Sequence, residues 1–137
     1  MNTDRTGPLV LPPGEGPTLS RPDKGGVVTI KLPSEMTSGA VTVWESHRLA
    51  GDTRGAGVHS HPGFDEMFYI LAGTYAFTAA SRRFTANAGA FVFVPGGIFH
   101  TFASTGDVEA RLLHLAVPGG IEDCFEEAAF GGGKWPC

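Results

Sequence analysis

Apolar and β-branched residues recur in short runs along the chain, and most runs alternate apolar with polar positions. Residues with high turn propensity, mainly Gly, Pro, Asn, Asp and Ser, separate the runs. Alternation over four to eight residues between turn signals is typical of β-strands, and repeated runs at this spacing indicate an all-β sandwich or barrel. The predicted strands cover residues 27–32, 40–50, 66–72, 74–80, 82–86, 90–94, 98–103 and 110–117.

One segment near the end of the sequence has a helical period instead. Ile121, Cys124, Phe125 and Ala128 fall at i, i+3, i+4 and i+7, and acidic residues occupy the opposite face. This pattern predicts a single short helix that covers a sheet with its apolar face.

The composition divides the chain into three parts around one domain. Residues 1–25 are rich in Pro, Gly and polar residues, and we interpret them as an extended arm that lies along the domain or a partner subunit. The β-barrel is expected over residues 26–118, and the C-terminal helix and tail over residues 119–137. A length of 137 residues suffices for one hydrophobic core.

Charge and hydropathy exclude several classes of protein. A net charge of −4, with scattered cations, argues against nucleic-acid binding, which needs a basic patch. No window approaches the roughly 20 apolar residues of a membrane span, and the N-terminus lacks the apolar core of a signal peptide. Cys124 and Cys137 have neither a metal-ligand spacing nor a disulfide framework. We therefore expect two reduced cysteines in a cytoplasmic protein.

Three histidines and one glutamate lie in two glycine-marked segments. His59 and His61 are one residue apart, so on a strand both side chains point to the same face. Glu66 opens the next strand after a turn at Pro62. Further along, a hairpin turn over residues 95–97 would bring His100 over the face that carries the other two histidines.

Such a set offers mixed nitrogen and oxygen ligands to a metal ion. Imidazole suits Fe, Cu, Ni and Zn, whereas carboxylate suits harder ions such as Mn. The lack of thiolate argues against a closed structural zinc site, and four protein ligands leave positions open for catalysis. Paired histidines alone also occur on solvated strand faces, so the prediction depends on the joint pattern.

The two segments together resemble the two conserved motifs of the cupin superfamily. His59, His61, Glu66 and Gly73 match the first motif, although Thr53 stands where the family has its opening glycine. The second motif is matched at Gly89, Pro95, Gly97 and His100, and Ser104 replaces its closing asparagine.

This resemblance implies a jelly-roll barrel, also called a double-stranded β-helix, with metal ligands His59, His61, Glu66 and His100. It implies one divalent transition metal ion, which would be Fe, Mn, Ni, Co, Cu or Zn. Segments near residues 11, 37 and 117 resemble a bacterial single-domain subgroup described as quercetin dioxygenase-like. Small cupins of this kind are usually homodimers, joined by sheet faces or by exchanged N-terminal arms.

The strand parity predicts what surrounds the metal. If Glu66 points inward, Phe68 and Ile70 share its face, and by the same parity Ile98 and Phe102 point inward with His100. The interior is then apolar and aromatic around one ion, which favours a flat or hydrophobic small molecule as substrate. Aromatic residues that merely fill the core would give the same pattern.

Four further residues are candidates for the pocket. His114 could donate a hydrogen bond beside the metal or be a satisfied strand histidine, and His47 has the same two interpretations. Glu45 could act as an acid or base in the pocket. Tyr75 could reach a substrate, or find one partner as buried tyrosines usually do.

Three function hypotheses follow. The first is a metal-dependent dioxygenase acting on an aromatic or enolic small molecule, in which Glu66 stays bound or takes the substrate's hydroxyl proton, as the resemblance to quercetinases implies. The second is a redox-neutral cupin such as a polyketide cyclase or isomerase. The third is a non-enzymatic cupin that binds a small molecule.

Overall fold

The computed structural model describes residues 5–20, 26–55 and 57–129. Within these ranges a 3₁₀ turn covers Ser34–Thr37, and none of the described helices is long and apolar enough to cross a membrane. The strands and the helix are β1 Thr18–Ser20, β2 Val27–Leu32, β3 Thr42–Arg48, β4 Asp65–Ala72, β5 Thr74–Ala79, β6 Arg82–Asn87, β7 Phe91–Val94, β8 His100–Ser104, β9 Ala110–Val117 and α1 Glu122–Ala129.

The strands form two antiparallel sheets that face each other as a jelly roll. One sheet has six strands in the order β1-β2-β3-β9-β4-β7, and the other has three in the order β6-β5-β8. The predicted all-β fold and each of the eight predicted strands are confirmed. Strand β1 was not predicted; it lies within the arm and pairs with β2, so this part of the arm lies along its own domain.

Alternation along β4 sets which side chains enter the barrel. Glu66, Phe68 and Ile70 are buried, whereas Tyr69 and Leu71 are exposed. Phe68 and Ile70 belong to the main hydrophobic cluster together with Tyr75, Phe77 and Leu112, and Ile98 and Phe102 pack against it. The predicted parity is therefore confirmed, and an aromatic core lies directly beside Glu66.

The C-terminal helix covers the six-stranded sheet as predicted. Its residues Cys124 and Phe125, with Ile121 just before it, pack against Trp44 and Val28. The side chain of Ala128, and the predicted helix end and tail over residues 130–137, lie outside the described part.

Cys124 is not a free thiol in the structure, so the expectation of two reduced cysteines is wrong. The spacing of cysteines along the sequence does not determine which of them form disulfides in the fold. The cytoplasmic location stays a prediction.

The turn after β7 differs from the predicted hairpin. Strand β7 pairs with β4 in the six-stranded sheet, whereas β8 pairs with β5 in the other sheet. Residues 95–97 therefore carry the chain from one sheet to the other. Gly97 has a φ of +83°, a left-handed conformation that L side chains rarely adopt. This crossing explains why the second motif needs glycine at that position.

Candidate metal centre

The backbone pairs two of the candidate ligands directly. The N–H of His59 donates to the carbonyl of His100 at 3.0 Å, and the N–H of His100 donates back to the carbonyl of His59 at 2.8 Å. This bridge lies outside the regular sheets, because His59 and His61 occupy an irregular segment and not the strand expected. The two imidazole centroids are 4.4 Å apart.

Two further contacts hold the crossing turn against the first motif. The N–H of Gly96 donates to the Asp65 carboxylate at 2.8 Å, and the N–H of Gly97 donates to the carbonyl of His61 at 3.3 Å. A Cβ atom at Gly96 would lie 3.0 Å from the Phe64 carbonyl oxygen, so the turn packs tightly here. Asp65 therefore anchors the turn that precedes His100, although the sequence analysis did not single it out.

The four candidate ligands converge, as the sequence predicted. One ligand atom from each of His59, His61, Glu66 and His100 lies within 4.8 Å of the others, a grouping that could hold a metal ion. Glu66 Oε1 is 3.2 Å from His61 Nε2 and 3.4 Å from His100 Nε2. His61, Glu66 and His100 are buried, and His59 is half-buried at the rim.

Backbone carbonyls orient two of the imidazoles. His59 Nδ1 lies 2.6 Å from the Gly57 carbonyl oxygen, and His100 Nδ1 lies 2.9 Å from the Ile98 carbonyl oxygen. Because a carbonyl only accepts, each Nδ1 carries the proton and each neutral ring keeps its lone pair on Nε2. This arrangement is typical of histidines that ligate metals through Nε2.

The electrostatics of the cluster favour an ionised Glu66 beside a neutral His61 and a His100 with a raised pKa. Burial lowers the pKa of His61 to about 4, so this ring is neutral at pH 7. Burial alone would raise the pKa of Glu66, but the hydrogen bond with His100 and the nearby histidines outweigh it and lower that pKa. Burial works to lower the pKa of His100, but the hydrogen bonds with Glu66 and the Ile98 carbonyl raise it overall.

The donor set fits a transition metal ion. Glu66 Oε1 and His100 Nε2 are buried, and apart from contacts within this cluster they have no hydrogen-bond partner in the described part of the chain. Buried polar atoms without partners cost roughly 1–3 kcal/mol each, and a cation between them would remove that cost. Three imidazoles and one carboxylate are ligands that Fe, Mn, Co, Ni, Cu and Zn accept.

Two of the other candidates lie outside the pocket. Glu45 and His47 are on the outer face of β3, because the residues that alternate with them, Trp44 and Ser46, are buried. Arg111 Nε donates to Glu45 Oε1 at 2.7 Å, and His47 Nε2 is 2.6 Å from Glu109 Oε1. Both therefore make ordinary surface pairs.

The remaining two candidates lie inside the barrel. His114 is buried, with its Nε2 atom 2.7 Å from Ser46 Oγ. Tyr75 is fully buried in the core, and burial raises the pKa of its phenol to about 12, so it stays protonated. Ser46 was missed by the sequence analysis, although strand parity places it on the face of β3 opposite to that of Glu45.

The comparisons with known proteins agree with this geometry. Residues 38–116 match a family model described as the cupin domain. The chain belongs to the cupin family. The matched region includes all four candidate ligands and extends into β9.

Three proteins illustrate the similarity of this cupin to known sequences and structures. It is 30% identical over 93 residues to Protein SchB of Streptomyces halstedii, a match that covers 67% of each chain. Among solved structures, a predicted oxalate decarboxylase from Thermotoga maritima is similar with a TM-score of 0.62 and 23% identity, covering 68% of this chain and 80% of that one. KdgF from Halomonas sp. is similar with a TM-score of 0.63 and 12% identity, covering 72% and 84%. The TM-scores indicate a shared fold, and at these sequence identities the two solved structures show the fold alone.

Proposed function

We propose that this cupin is a metal-dependent dioxygenase acting on an aromatic or enolic small molecule, in the manner of quercetinases. The observation that carries the proposal is the convergence of His59, His61, Glu66 and His100 at the edge of an aromatic interior. One divalent ion held by these four residues would supply Lewis acidity toward a substrate oxygen and, with open positions, access for O₂.

Glu66 is the residue that would move a proton. Its lowered pKa keeps it ionised at neutral pH, and its Oε1 atom faces the space between His61 and His100. A substrate hydroxyl that enters this space would give its proton to Glu66, which leaves an electron-rich enolate or phenolate. His61, with a pKa of about 4, would remain neutral through this transfer.

The interior supports a flat, apolar substrate. Phe68 lies 6.4 Å from His100 between ring centroids, and Phe102 lies 5.2 Å from Phe68. The partly buried Phe102 would contact a planar molecule, and the fully buried Phe68 packed beside it would help to exclude water from the reacting atoms.

Oxygen uptake tests the proposal. Protein loaded with Fe, Mn, Co or Ni and mixed with a flavonol is expected to consume O₂, and Glu66→Gln is expected to lose at least about 100-fold of that rate. Glu45→Gln is the matched control, because Glu45 pairs with Arg111 on the outer face. No uptake by fully loaded protein across a broad panel of enols and phenols would contradict the proposal.

The redox-neutral function is the second candidate, and the ionised Glu66 favours it as well. A carboxylate held ionised beside the neutral His61 can take a proton next to a carbonyl without any oxidant. Turnover under strict anaerobiosis would support a cyclase or isomerase. A ligand that binds and is recovered unchanged under both conditions would support a binding protein.

A homodimer is the assembly that we propose. The outer face of β4 and β7 exposes a strip of apolar side chains, in which Tyr69 pairs with Phe91 and Met67 pairs with Phe93 across the strands. Phe91 is 61% exposed and Phe93 is 52% exposed. A contiguous apolar strip of this kind is typical of a protein interface, and a second copy would cover it with the same surface.

A further inference from the structure

Four residues lie side by side across the end of the barrel that holds the candidate ligands. His59 pairs with His100, which also pairs with Ala79, and Ala79 pairs in turn with Arg82. Directly paired residues of neighbouring strands point their side chains to the same face, which is the inner face here because His100 is buried. With strands about 4.8 Å apart, the Cα atoms of Arg82 and His100 are about 10 Å apart. A cation therefore ends the row that contains two of the candidate ligands.

The alternation along β6 gives the same orientation for Arg82. Ala86 is buried and Phe84 packs against the main hydrophobic cluster, and Arg82 lies on their face of the strand. Arg83 and Thr85 alternate with these residues and lie on the outer face. Arg82 itself is exposed, because β6 begins at this residue, at the edge of the packed core.

The turn before Arg82 fixes the start of β6 next to the candidate ligands. Ala80 and Ser81 join β5 to β6 with φ values of +50° and +64°, as a two-residue hairpin turn of type I′ requires. The N–H of Ala80 donates to the carbonyl of Phe99 at 3.2 Å, and Phe99 directly precedes His100. The turn therefore holds Arg82 in a defined position relative to His100.

The row is open to solvent between Arg82 and the metal centre. Ala79, which separates Arg82 from His100, has a small side chain and is only half-buried, and His59 at the other end of the row is half-buried too. A molecule can therefore approach this row from solvent without displacing the packed aromatic core.

The charges at this end of the barrel favour an anion. Glu66 is the one carboxylate among the four candidate ligands, so a divalent ion bound there would leave a net positive charge. Arg82 adds a second positive charge, and within the described ranges its side chain has neither an ion pair nor a hydrogen bond. Arg48, Arg54 and Arg111, in contrast, each pair with a carboxylate.

We propose that Arg82 binds the carboxylate of an aromatic acid whose hydroxyl oxygen lies at the metal centre. A guanidinium group can hold a carboxylate through two parallel hydrogen bonds, which fixes the orientation of the molecule as well as its charge. The ring of the acid then lies over Ala79, between Arg82 and His100. The inference rests on the function proposed above and adds an acidic group to its substrate class.

Two small aromatic compounds test this without turnover. 3,4-Dihydroxybenzoate and 3,4-dihydroxybenzamide share the ring and the metal-binding hydroxyls, but only the benzoate carries a negative carboxylate. Both are titrated without O₂ into cobalt-loaded protein and followed by absorbance. The unaltered protein is expected to bind the benzoate about tenfold more tightly than the benzamide. Arg82→Gln is expected to remove most of this preference and to leave benzamide affinity and cobalt content unchanged.

Two further variants complete the design. Arg83→Gln is the matched control, because Arg83 is the exposed neighbour of Arg82 on the outer face of the same strand. It removes the same charge and is expected to keep the preference for the benzoate. Arg82→Lys retains the charge but not the paired hydrogen bonds, so it is expected to keep only part of the preference.

Several results would overturn the inference. Equal affinities of the unaltered protein for both compounds, or no binding of either one, would contradict it. An equal loss of preference in Arg82→Gln and Arg83→Gln would indicate a general effect of charge, and equal weakening of both compounds in Arg82→Gln would indicate a structural role. Missing O₂ uptake with a preference that depends on Arg82 would instead remove the dioxygenase proposal and leave this inference standing.

Discussion

Asp65 and Gly96 are joined across 31 residues by a single hydrogen bond, from the Gly96 N–H to the Asp65 carboxylate at 2.8 Å. Asp65 opens β4 one residue before Glu66, and Gly96 lies in the turn that delivers His100. This bond therefore ties the segment that carries one candidate ligand to the segment that carries another. We therefore expect it to help set the distance between Glu66 and His100.

Loss of this bond should weaken metal binding and preserve the fold. Asp65→Ala leaves the Gly96 N–H without its acceptor, so His100 is held less firmly, and the Kd for cobalt is expected to rise about tenfold. Asp107→Ala is the control, because Asp107 accepts a hydrogen bond from the Thr105 hydroxyl in an exposed turn. Equal cobalt affinities in titrations of both variants would show that the turn needs no such anchor.

Metal affinity should increase with pH. A bound metal needs neutral imidazoles, and the pKa of His100 lies above its ordinary 6.5, so this ring keeps its proton to higher pH. His61, with a pKa of about 4, is neutral throughout the range from pH 5.5 upward. Below the pKa of His100 the cobalt Kd is therefore expected to fall by about tenfold for each pH unit of increase, and to level off above it. Titrations from pH 5.5 to 8.5 check this, and a Kd independent of pH would contradict it.

Glu122 should contribute to stability through its hydrogen bonds. Its buried carboxylate accepts from the backbone N–H and hydroxyl of Ser34 at 2.9 and 2.8 Å and from the Thr42 hydroxyl at 3.0 Å, and so joins α1 to β3. Glu122→Gln removes the charge and one acceptor, so the free energy of unfolding is expected to drop by about 2 kcal/mol. Urea unfolding measures this, with the exposed Glu35→Gln as control. A difference below about 0.5 kcal/mol between the two would argue against the anchor.

The proposed dimer should depend on the exposed strip of β7. Phe91→Ser combined with Phe93→Ser removes two large exposed rings and is expected to convert a dimer into a monomer in sedimentation experiments. Phe99→Ser is the matched control, since Phe99 is equally exposed but lies outside β7. A dimer that persists in the double variant, or a monomeric unaltered protein, would exclude this interface.

Much of the fold was predictable because the alternation of apolar and polar residues along a strand indicates which of its faces is buried. Glu66, Phe68 and Ile70 were assigned to one face from parity alone, and the structure buries all three. The convergence of His59, His61, Glu66 and His100 was likewise predicted, since motif spacing constrains where turns bring strand ends together.

Other features depend on the pairing of strands that are distant in the sequence, and the spacing of residues along the chain does not reveal this pairing. The separation of β7 and β8 into different sheets follows from their partners β4 and β5, so the local turn sequence suggested a hairpin instead. Strand β1 has only three residues in a Pro-rich arm, too few for a clear alternation. Glu45 and Ser46 are neighbours in sequence, and only the pairing of β3 with β9 determines which of them faces His114.

Binding of cobalt to the metal-free protein, followed by absorbance and calorimetry, tests the central claim most directly. We expect one ion per chain. We also expect His61→Ala and His100→Ala each to raise the Kd for cobalt by at least about 100-fold, whereas His47→Ala leaves it unchanged. Equal affinity in all three variants, or a site lost in His47→Ala alone, would contradict it.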